Sequence, residues 1–335
     1  VVVVGQGYVG LPLAMAAVAA GFDVVGFDLD VDRTKNLADG TSFTADVPDE
    51  ELRRALATGR YTATDRAHDC ADFDIAVITV PTPLREGDPD LSYIAAAAST
   101  LAVHLRRGST VVLESTTYPG TTVELMVPLL EAGSGLRASA DFAVGYSPER
   151  IDPGNAKWKF GNTPKVVSGI DEASLEKVAA FYGLIVDDVV PVASTQVAEL
   201  AKLLENTFRH VNIALVNELA VFAEELGIDI WAAIDAAATK PFGYMKFTPG
   251  PGVGGHCLPI DPSYLSWTVR RRVGRPFRFV ELANDVNEHM PHYVVDRVRA
   301  ALNRQGIAVS RSRLLLLGMS YKRNTNDTRE SPART

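Results

Sequence analysis

Val1-Val2-Val3-Val4-Gly5-Gln6-Gly7-Tyr8-Val9-Gly10-Leu11-Pro12-Leu13-Ala14 joins a β-branched run, a glycine triplet and the start of a helical stretch in one piece. Four consecutive valines read as a buried strand. Leu11 to Ala20 reads as a helix, and Asp23 to Phe27 as a second strand that ends at Asp28. The order strand, G-x-G-x-x-G, helix, strand, acid separates a dinucleotide-binding fingerprint from a chance glycine triplet. Gly5 permits the tight turn, Gly7 lets a pyrophosphate approach, and Gly10 allows close helix–strand packing. The helix N-terminus, with Tyr8 and Val9 in its approach, faces the phosphates with partial positive charge. Asp28 is placed to accept hydrogen bonds from the adenosine ribose, which favours NAD; Arg33 nearby keeps NADP within reach.

Further strand-like runs follow at Asp74–Val80, Thr110–Glu114, Phe142–Gly145 and Lys165–Ser168, with helical stretches at Ile94–Leu105 and Ser174–Phe181. Strands alternating with helices predict an α/β fold, a Rossmann-like, doubly wound and mostly parallel sheet. Ligands of such sheets sit beyond the carboxyl ends of the strands. Thr79-Val80-Pro81-Thr82-Pro83, Ser115-Thr116-Thr117 and Tyr146-Ser147-Pro148-Glu149-Arg150 are therefore expected to line one crevice.

The chain has 335 residues, enough for two domains and part of a third. A net charge of −8 argues against a general nucleic-acid binder, which would carry a basic face. No run reaches the roughly 20 apolar residues of a membrane span. With Cys70 and Cys257 as the two cysteines and no CxxC pair, neither a disulfide framework nor a cysteine zinc site is expected. Cys70 reads as structural. The valine run carries no initiator Met and no signal pattern, so a clipped amino terminus and a reducing, cytoplasmic compartment are the expectations.

Thr195 to Leu226 reads as one long helix without Pro or Gly, and Phe279 to Gln305 as a further helical stretch. On the first, Glu199, Lys202 and Asn206 share a face. Taken alone, Glu199 and Lys202 favour an exposed i,i+3 ion pair. His289 and His292 share a helix face, but no cluster completes a metal site and they read as surface histidines. Leu314-Leu315-Leu316-Leu317-Gly318 is expected to start a new strand, so the sequence looks truncated at its carboxyl terminus.

Between the helices lies Gly250-Pro251-Gly252-Val253-Gly254-Gly255-His256-Cys257-Leu258-Pro259-Ile260-Asp261. A cysteine in such a loop is either a nucleophile or a buried thiol, and the local residues leave both open. Beside a dinucleotide fold the first has a use. A thiolate adds to an aldehyde, the thiohemiacetal gives up hydride to become a thioester, and water releases an acid.

These residues carry a resemblance to the nucleotide-sugar 6-dehydrogenases of the UDP-glucose/GDP-mannose dehydrogenase family. It rests on the amino-terminal G-x-G-x-x-G, Ser147-Pro148-Glu149-Arg150, Glu199-xx-Lys202-xxx-Asn206, Gly254-Gly255-His256-Cys257 with Asp261, and Tyr321-Lys322 with Asp327-Thr328-Arg329-Glu330-Ser331. Ser147 to Asn155 and Lys240 to Met245 most resemble the bacterial branch that oxidises UDP-N-acetylglucosamine. Where the UDP-glucose branch has an arginine before the glycines, this chain reads Lys240-Pro241-Phe242.

The resemblance implies NAD as cofactor, held with help from Val80, Pro81, Thr82, Ser115, Thr116 and Arg329. It implies Cys257 as nucleophile, Lys202 and Asn206 as oxyanion stabilisers, and Asp261 as the group that holds a water or Lys202. Glu149 would be general base to the hydrolytic water, positioned with Thr116. Arg150, Phe242, Tyr244, Gly252, Gly254, Tyr321 and Lys322 would join Glu149, Lys202 and Asn206 around the nucleotide sugar. The implied domains are 1–190, binding NAD, 191–305, central, helical, catalytic and dimerising, and 306–335, the beginning of a nucleotide-sugar-binding domain. A homodimer through the long helix, with no nucleic-acid or membrane partner, completes the expectation; the product would serve polysaccharide or antibiotic biosynthesis. The rivals are weaker. A single-step hydroxyacid dehydrogenase of the 6-phosphogluconate type gives Cys257 no role, an epimerase would show Tyr-xxx-Lys, and a non-catalytic sensor would be expected to lose Cys257, Lys202 or Glu149.

Overall fold

The computed structural model describes residues 1–335 apart from Pro153, Gly154, Ala156, His256, Cys257, Pro259, 323–327 and Arg329. The valine run forms β1 (Val2–Val4), followed by α1 (Gly10–Ala19), β2 (Val24–Phe27), α2 (Val31–Ala38), α3 (Asp49–Ala57) and β3 (Tyr61–Thr64). Then come β4 (Ile75–Ile78), a small hairpin of β5 (Leu84–Arg85) and β6 (Asp88–Pro89), α4 (Ser92–Ala102) and β7 (Thr110–Leu113). A π turn at Thr122–Met126 leads into α5 (Val127–Ser134), then β8 (Ala143–Tyr146), β9 (Lys165–Gly169), α6 (Glu172–Tyr182) and β10 (Val189–Pro191). Last are α7 (Thr195–Glu225), α8 (Ile230–Ala238), α9 (Asp261–Val273) and α10 (Arg278–Arg304).

Among the described residues the main sheet has eight strands in the order β10-β9-β8-β7-β4-β1-β2-β3. Neighbours run parallel except β8 and β9, which are antiparallel. Both faces are covered, and the pleat explains how. Val2, Val4, Ala76, Ile78, Val111 and Leu113 join one apolar layer with Ile94, Leu101 and Leu130. Val3, Val77 and Val112, the residues between, join the opposite layer with Leu11, Leu37 and Phe181. Strands buried on both sides need apolar residues at every position, which is why they read as runs. Cys70 lies in the first layer, and burial pushes its thiol up to about 11, so it behaves as a small hydrophobe.

The chain divides into two compact units, residues 1–202 and 203–335, with the boundary inside α7. In the second unit Asp229 caps α8, accepting from the N–H groups of Trp231 and Ala232 at 2.9 and 3.2 Å. Gly274 ends α9 in the left-handed conformation. The strand expected at Leu314–Gly318 does not form: its backbone has no regular structure and Leu315 and Leu317 are exposed. A strand is held by its ladder, and among the described residues of this unit no other strand offers one. No helix of the described residues is long and apolar enough to cross a membrane.

Candidate active site

The strand order reverses between β1 and β4, the switch point where an open α/β sheet binds its ligand. Gly5 follows β1 there with φ +93°, and a Cβ on it would lie 2.8 Å from the Thr79 carbonyl oxygen. A Cβ on Gly10 would lie 1.8 Å from the Gly5 carbonyl oxygen, so helix and turn pack only because both residues lack one. Thr79 locks the turn from β4, its hydroxyl donating to the carbonyls of Gly5 at 2.7 Å and Val4 at 2.9 Å. Gly7 is different: a Cβ on it would meet nothing within 4 Å, leaving a cradle before the helix N-terminus.

Asp28 follows β2, and its carboxylate accepts from the Gln6 N–H at 2.7 Å. Arg33 pairs with Asp28 at 2.9 Å and with Asp30 at 3.4 Å. Its guanidinium also lies over the Phe43 ring, which packs edge-on with Tyr8. An arginine engaged by two acids favours a ribose hydroxyl over a 2′-phosphate at this position. Gln6 is fully buried, its side chain tied to the Val3 carbonyl and the Tyr61 hydroxyl. Val80, Pro81, Thr82, Ser115 and Thr116 follow β4 and β7 at the same end of the sheet. Ser115 ties the two loops together, its hydroxyl donating to the Val80 carbonyl at 2.8 Å. The chemistry of this donor set suits NAD.

The exposed Glu199–Lys202 pair favoured by spacing is not what forms. Glu199 is fully buried and accepts from the Gly120 N–H at 2.6 Å, the Thr122 N–H at 3.0 Å and the Thr122 hydroxyl at 2.6 Å. Burial pushes its carboxyl up, while these donors and the turn they belong to pull it down. Glu199 thus pins the segment that follows Ser115 and Thr116. Lys202, one turn along the same helix, is buried as well.

Glu149, just past β8, is almost fully buried. One carboxylate oxygen accepts from the N–H groups of Arg150, at 2.6 Å, and Ile151; the other accepts from the Lys165 ammonium at 3.1 Å. Lys165 also donates to Glu114, whose second oxygen accepts from the Tyr182 hydroxyl at 2.5 Å. Glu114, Lys165 and Tyr182 are buried too. Burial pushes Glu149 up, but the Lys165 charge, a hydrogen bond with Glu114 and the backbone donors outweigh it and hold the carboxyl below the usual carboxylate range. Burial and the neighbouring Glu149 charge outweigh Lys165 at Glu114 and hold it above. Glu114, Lys165 and Tyr182 escaped sequence reasoning. The signal was there: Glu114 and Lys165 each border a buried valine-containing run, residues 111–113 and 166–167. The Arg150 guanidinium donates to the Pro164 carbonyl at 2.7 Å.

In the second unit Asn206 and Asp261 meet, the amide donating to the carboxylate, and both are buried. Behind them His210 bonds Asn284 at 2.7 Å, Asn217 bonds Asn287 at 2.9 Å, and Asn217 accepts from the Gly250 N–H at 2.9 Å. This tethers the glycine loop to α7 and α10. Tyr321 packs over the loop: a Cβ on Gly254 would lie 2.6 Å from its Cβ, and one on Gly255, at φ +88°, 2.7 Å from its ring. Gly252 approaches the Asn287 carbonyl in the same way. Phe242 and Tyr244 are exposed, Phe242 beneath the Lys240 ammonium, and Lys322 is half-buried. Cys257 and Arg329 lie outside the described residues.

The chain matches the NAD-binding domain of the UDP-glucose/GDP-mannose dehydrogenase family over residues 1–186 and its central domain over 196–289. It is 40% identical over 333 residues to the UDP-N-acetyl-D-glucosamine 6-dehydrogenase of Pseudomonas aeruginosa, covering 99% of this chain and 77% of that one. It is 38% identical over 334 residues to the UDP-N-acetyl-D-mannosamine dehydrogenase of Pyrococcus horikoshii, covering 99% and 78%. The solved structure of the UDP-D-ManNAc dehydrogenase from Pyrococcus horikoshii superposes with a TM-score of 0.93 over 99% of this chain and 79% of that chain, at 38% identity. The chain belongs to the UDP-glucose/GDP-mannose dehydrogenase family of NAD-dependent oxidoreductases.

Proposed function

We propose that this protein oxidises a nucleotide-activated hexose, of the UDP-N-acetylglucosamine or UDP- or TDP-glucose type, at C6 through the aldehyde to the uronic acid. The observation that carries this reading is Glu149, a buried carboxylate held ionised at the ligand end of the sheet. Oxidation to an aldehyde has no use for such a base; hydrolysis of an acyl intermediate does. The relatives named for 6-dehydrogenation of UDP-N-acetylhexosamines support the same substrate class.

In this reading Gly5 to Gly10, Asp28 and the loops after β4 and β7 hold NAD, which accepts two hydrides in succession. Asp261, fixed by Asn206, positions a water or Lys202 to take the C6 hydroxyl proton. Cys257 adds its sulfur to the aldehyde carbon, and Lys202 with Asn206 stabilises the oxyanion. Glu149 takes a proton from the water whose oxygen replaces sulfur on the acyl carbon, with Thr116 helping to place that water. Overall, one alcohol and one water become one carboxylate, with loss of two hydrides and three protons. Residues 1–190, 191–305 and 306–335 serve as the cofactor, central and sugar-nucleotide parts.

The test is the NADH formed per UDP-N-acetylglucosamine consumed. Two equivalents and a uronic acid are expected; one equivalent with a released aldehyde or ketone would falsify the scheme.

The same reading makes the chain a homodimer through α7. Val197, Leu200, Leu204, Phe208, Leu215, Leu219 and Phe222 recur at spacings of three, four or seven residues along it, so they share one face, and they are exposed in the single chain. Such a stripe is costly in water and suits a self-complementary interface. Sedimentation equilibrium should give a dimer for the wild type and a monomer for Leu204→Glu/Leu219→Glu; a monomeric wild type at micromolar concentration rules the interface out.

A further inference from the structure

We propose that Lys165 is a positioning residue for the acid-forming step: its ammonium holds Glu149 as a carboxylate and couples it to Glu114, so that the two acids share one titrating proton. This rests on the proposed role of Glu149 as base and goes beyond it, because neither Lys165 nor Glu114 touches substrate or cofactor in that scheme.

The topology makes the placement. β9 runs antiparallel to β8, so its first residue, Lys165, returns to the sheet end where Glu149 leaves β8. Glu114 follows directly on β7 at that same end, immediately before Ser115 and Thr116. Glu149 therefore faces Lys165 from β9, Glu114 from β7 and Tyr182 from the end of α6. Arg150 beside it gives its backbone N–H to Glu149 and a guanidinium N–H to Pro164. The rings of Phe160 and Tyr182 each lie 5.3 Å from the ammonium and close the group off from water.

As scaffolding this arrangement is poor. A buried ion pair contributes little net stability, and two acids for one base leave a charge uncompensated when both are ionised. As a proton-handling device it has a clear logic. The two carboxylates cannot both ionise easily, and their titrations belong to the pair. Lys165, the hydrogen bond with Glu114 and the two backbone donors decide that the anion resides on Glu149, while Glu114, braced by Tyr182, takes the proton first. During hydrolysis the water oxygen bonds to the acyl carbon and one water proton passes to Glu149. The second proton leaves with the carboxylic acid product to solvent. The C–S bond breaks with its electron pair returning to the Cys257 sulfur. Ionisation of Glu114 at higher pH makes Glu149 more basic, so the acid-forming step gains a second rise that the first oxidation lacks.

The experiment follows the full chain with UDP-N-acetylglucosamine and NAD across pH. The first NADH burst reports the alcohol step, and the enzyme-bound acyl adduct, read by intact mass after an acid quench, reports the second. In Glu114→Gln, close in shape, the second rise should vanish relative to the first-step profile. In Lys165→Met the acidic limb of acyl decay should move at least one unit to higher pH and the adduct should accumulate tenfold or more at pH 7. Lys165→Arg should restore the wild-type limb, and urea midpoints identify the folded variants. Two NADH per sugar with unmoved limbs in Glu114→Gln and Lys165→Met, or loss of both steps in proportion, overturns Lys165 alone. One NADH and no acid from the wild-type enzyme overturns the function of Glu149 and this inference with it.

Discussion

Cys257→Ser is expected to abolish acid formation, by about 10³-fold or more, the scale on which loss of a nucleophile is felt. The reason is the chemistry of the leaving atom and of the attacking one. A thiol ionises near pH 8.5, so a useful fraction is thiolate near neutrality, whereas a serine hydroxyl stays protonated without a strong base beside it. An oxygen ester is also a poorer acyl donor to water than a thioester. NAD binding should persist, because the residues proposed to hold it are Gly5 to Gly10, Asp28 and the loops after β4 and β7, all remote in sequence from the glycine loop. The measurement pairs a cofactor titration with product analysis. Acid formed at an undiminished rate would mean that another group carries the acyl chain.

The second large effect is on stability. Glu199→Ala removes the acceptor of three hydrogen bonds, from the Gly120 N–H, the Thr122 N–H and the Thr122 hydroxyl, in a fully buried place. Each donor left unpaired costs about 1–3 kcal/mol, so the loss should reach about 3–5 kcal/mol in urea unfolding of the amino-terminal unit. Glu199→Gln should fall between, since its amide offers one acceptor oxygen and sets an N–H group against donors. The carboxyl's raised position adds a pH dependence with a definite sign. A group that ionises less readily when folded contributes stability fully present below its unfolded value, lost as pH rises through its folded value. Relative to Glu199→Ala, the wild-type protein should therefore gain its largest margin at acid pH. Equal urea midpoints for wild type and Glu199→Ala would remove Glu199 as the tether of the loop.

Much of this molecule was legible in order along the chain. Local patterns state burial: valine runs for doubly covered strands, a long stretch without Pro or Gly for α7, glycines where backbone must approach backbone. The fingerprint through Asp28 needed only neighbours in sequence, and so did the recognition of a cysteine among glycines. The strand expected at Leu314 shows the limit, since an apolar run states a preference for burial and pairing without supplying the partner. Glu199 shows it again. Its spacing to Lys202 suggested a solvated pair, but its partners are Gly120 and Thr122, far back in the chain.

By itself, then, the sequence determined the cofactor fold, the helix that carries Lys202 and Asn206, and the cysteine among glycines from which the proposed chemistry starts. Only the tertiary structure decided which charges meet. Lys165 reaches Glu149 and Glu114 because one strand, β9, runs against its neighbour, and Asp261 reaches Asn206 across 55 positions. The physical reason is that burial and periodicity are properties of neighbours along the chain. The state of an ionisable group is set by whatever other charges the strand order and helix packing bring to it in a medium that water does not screen.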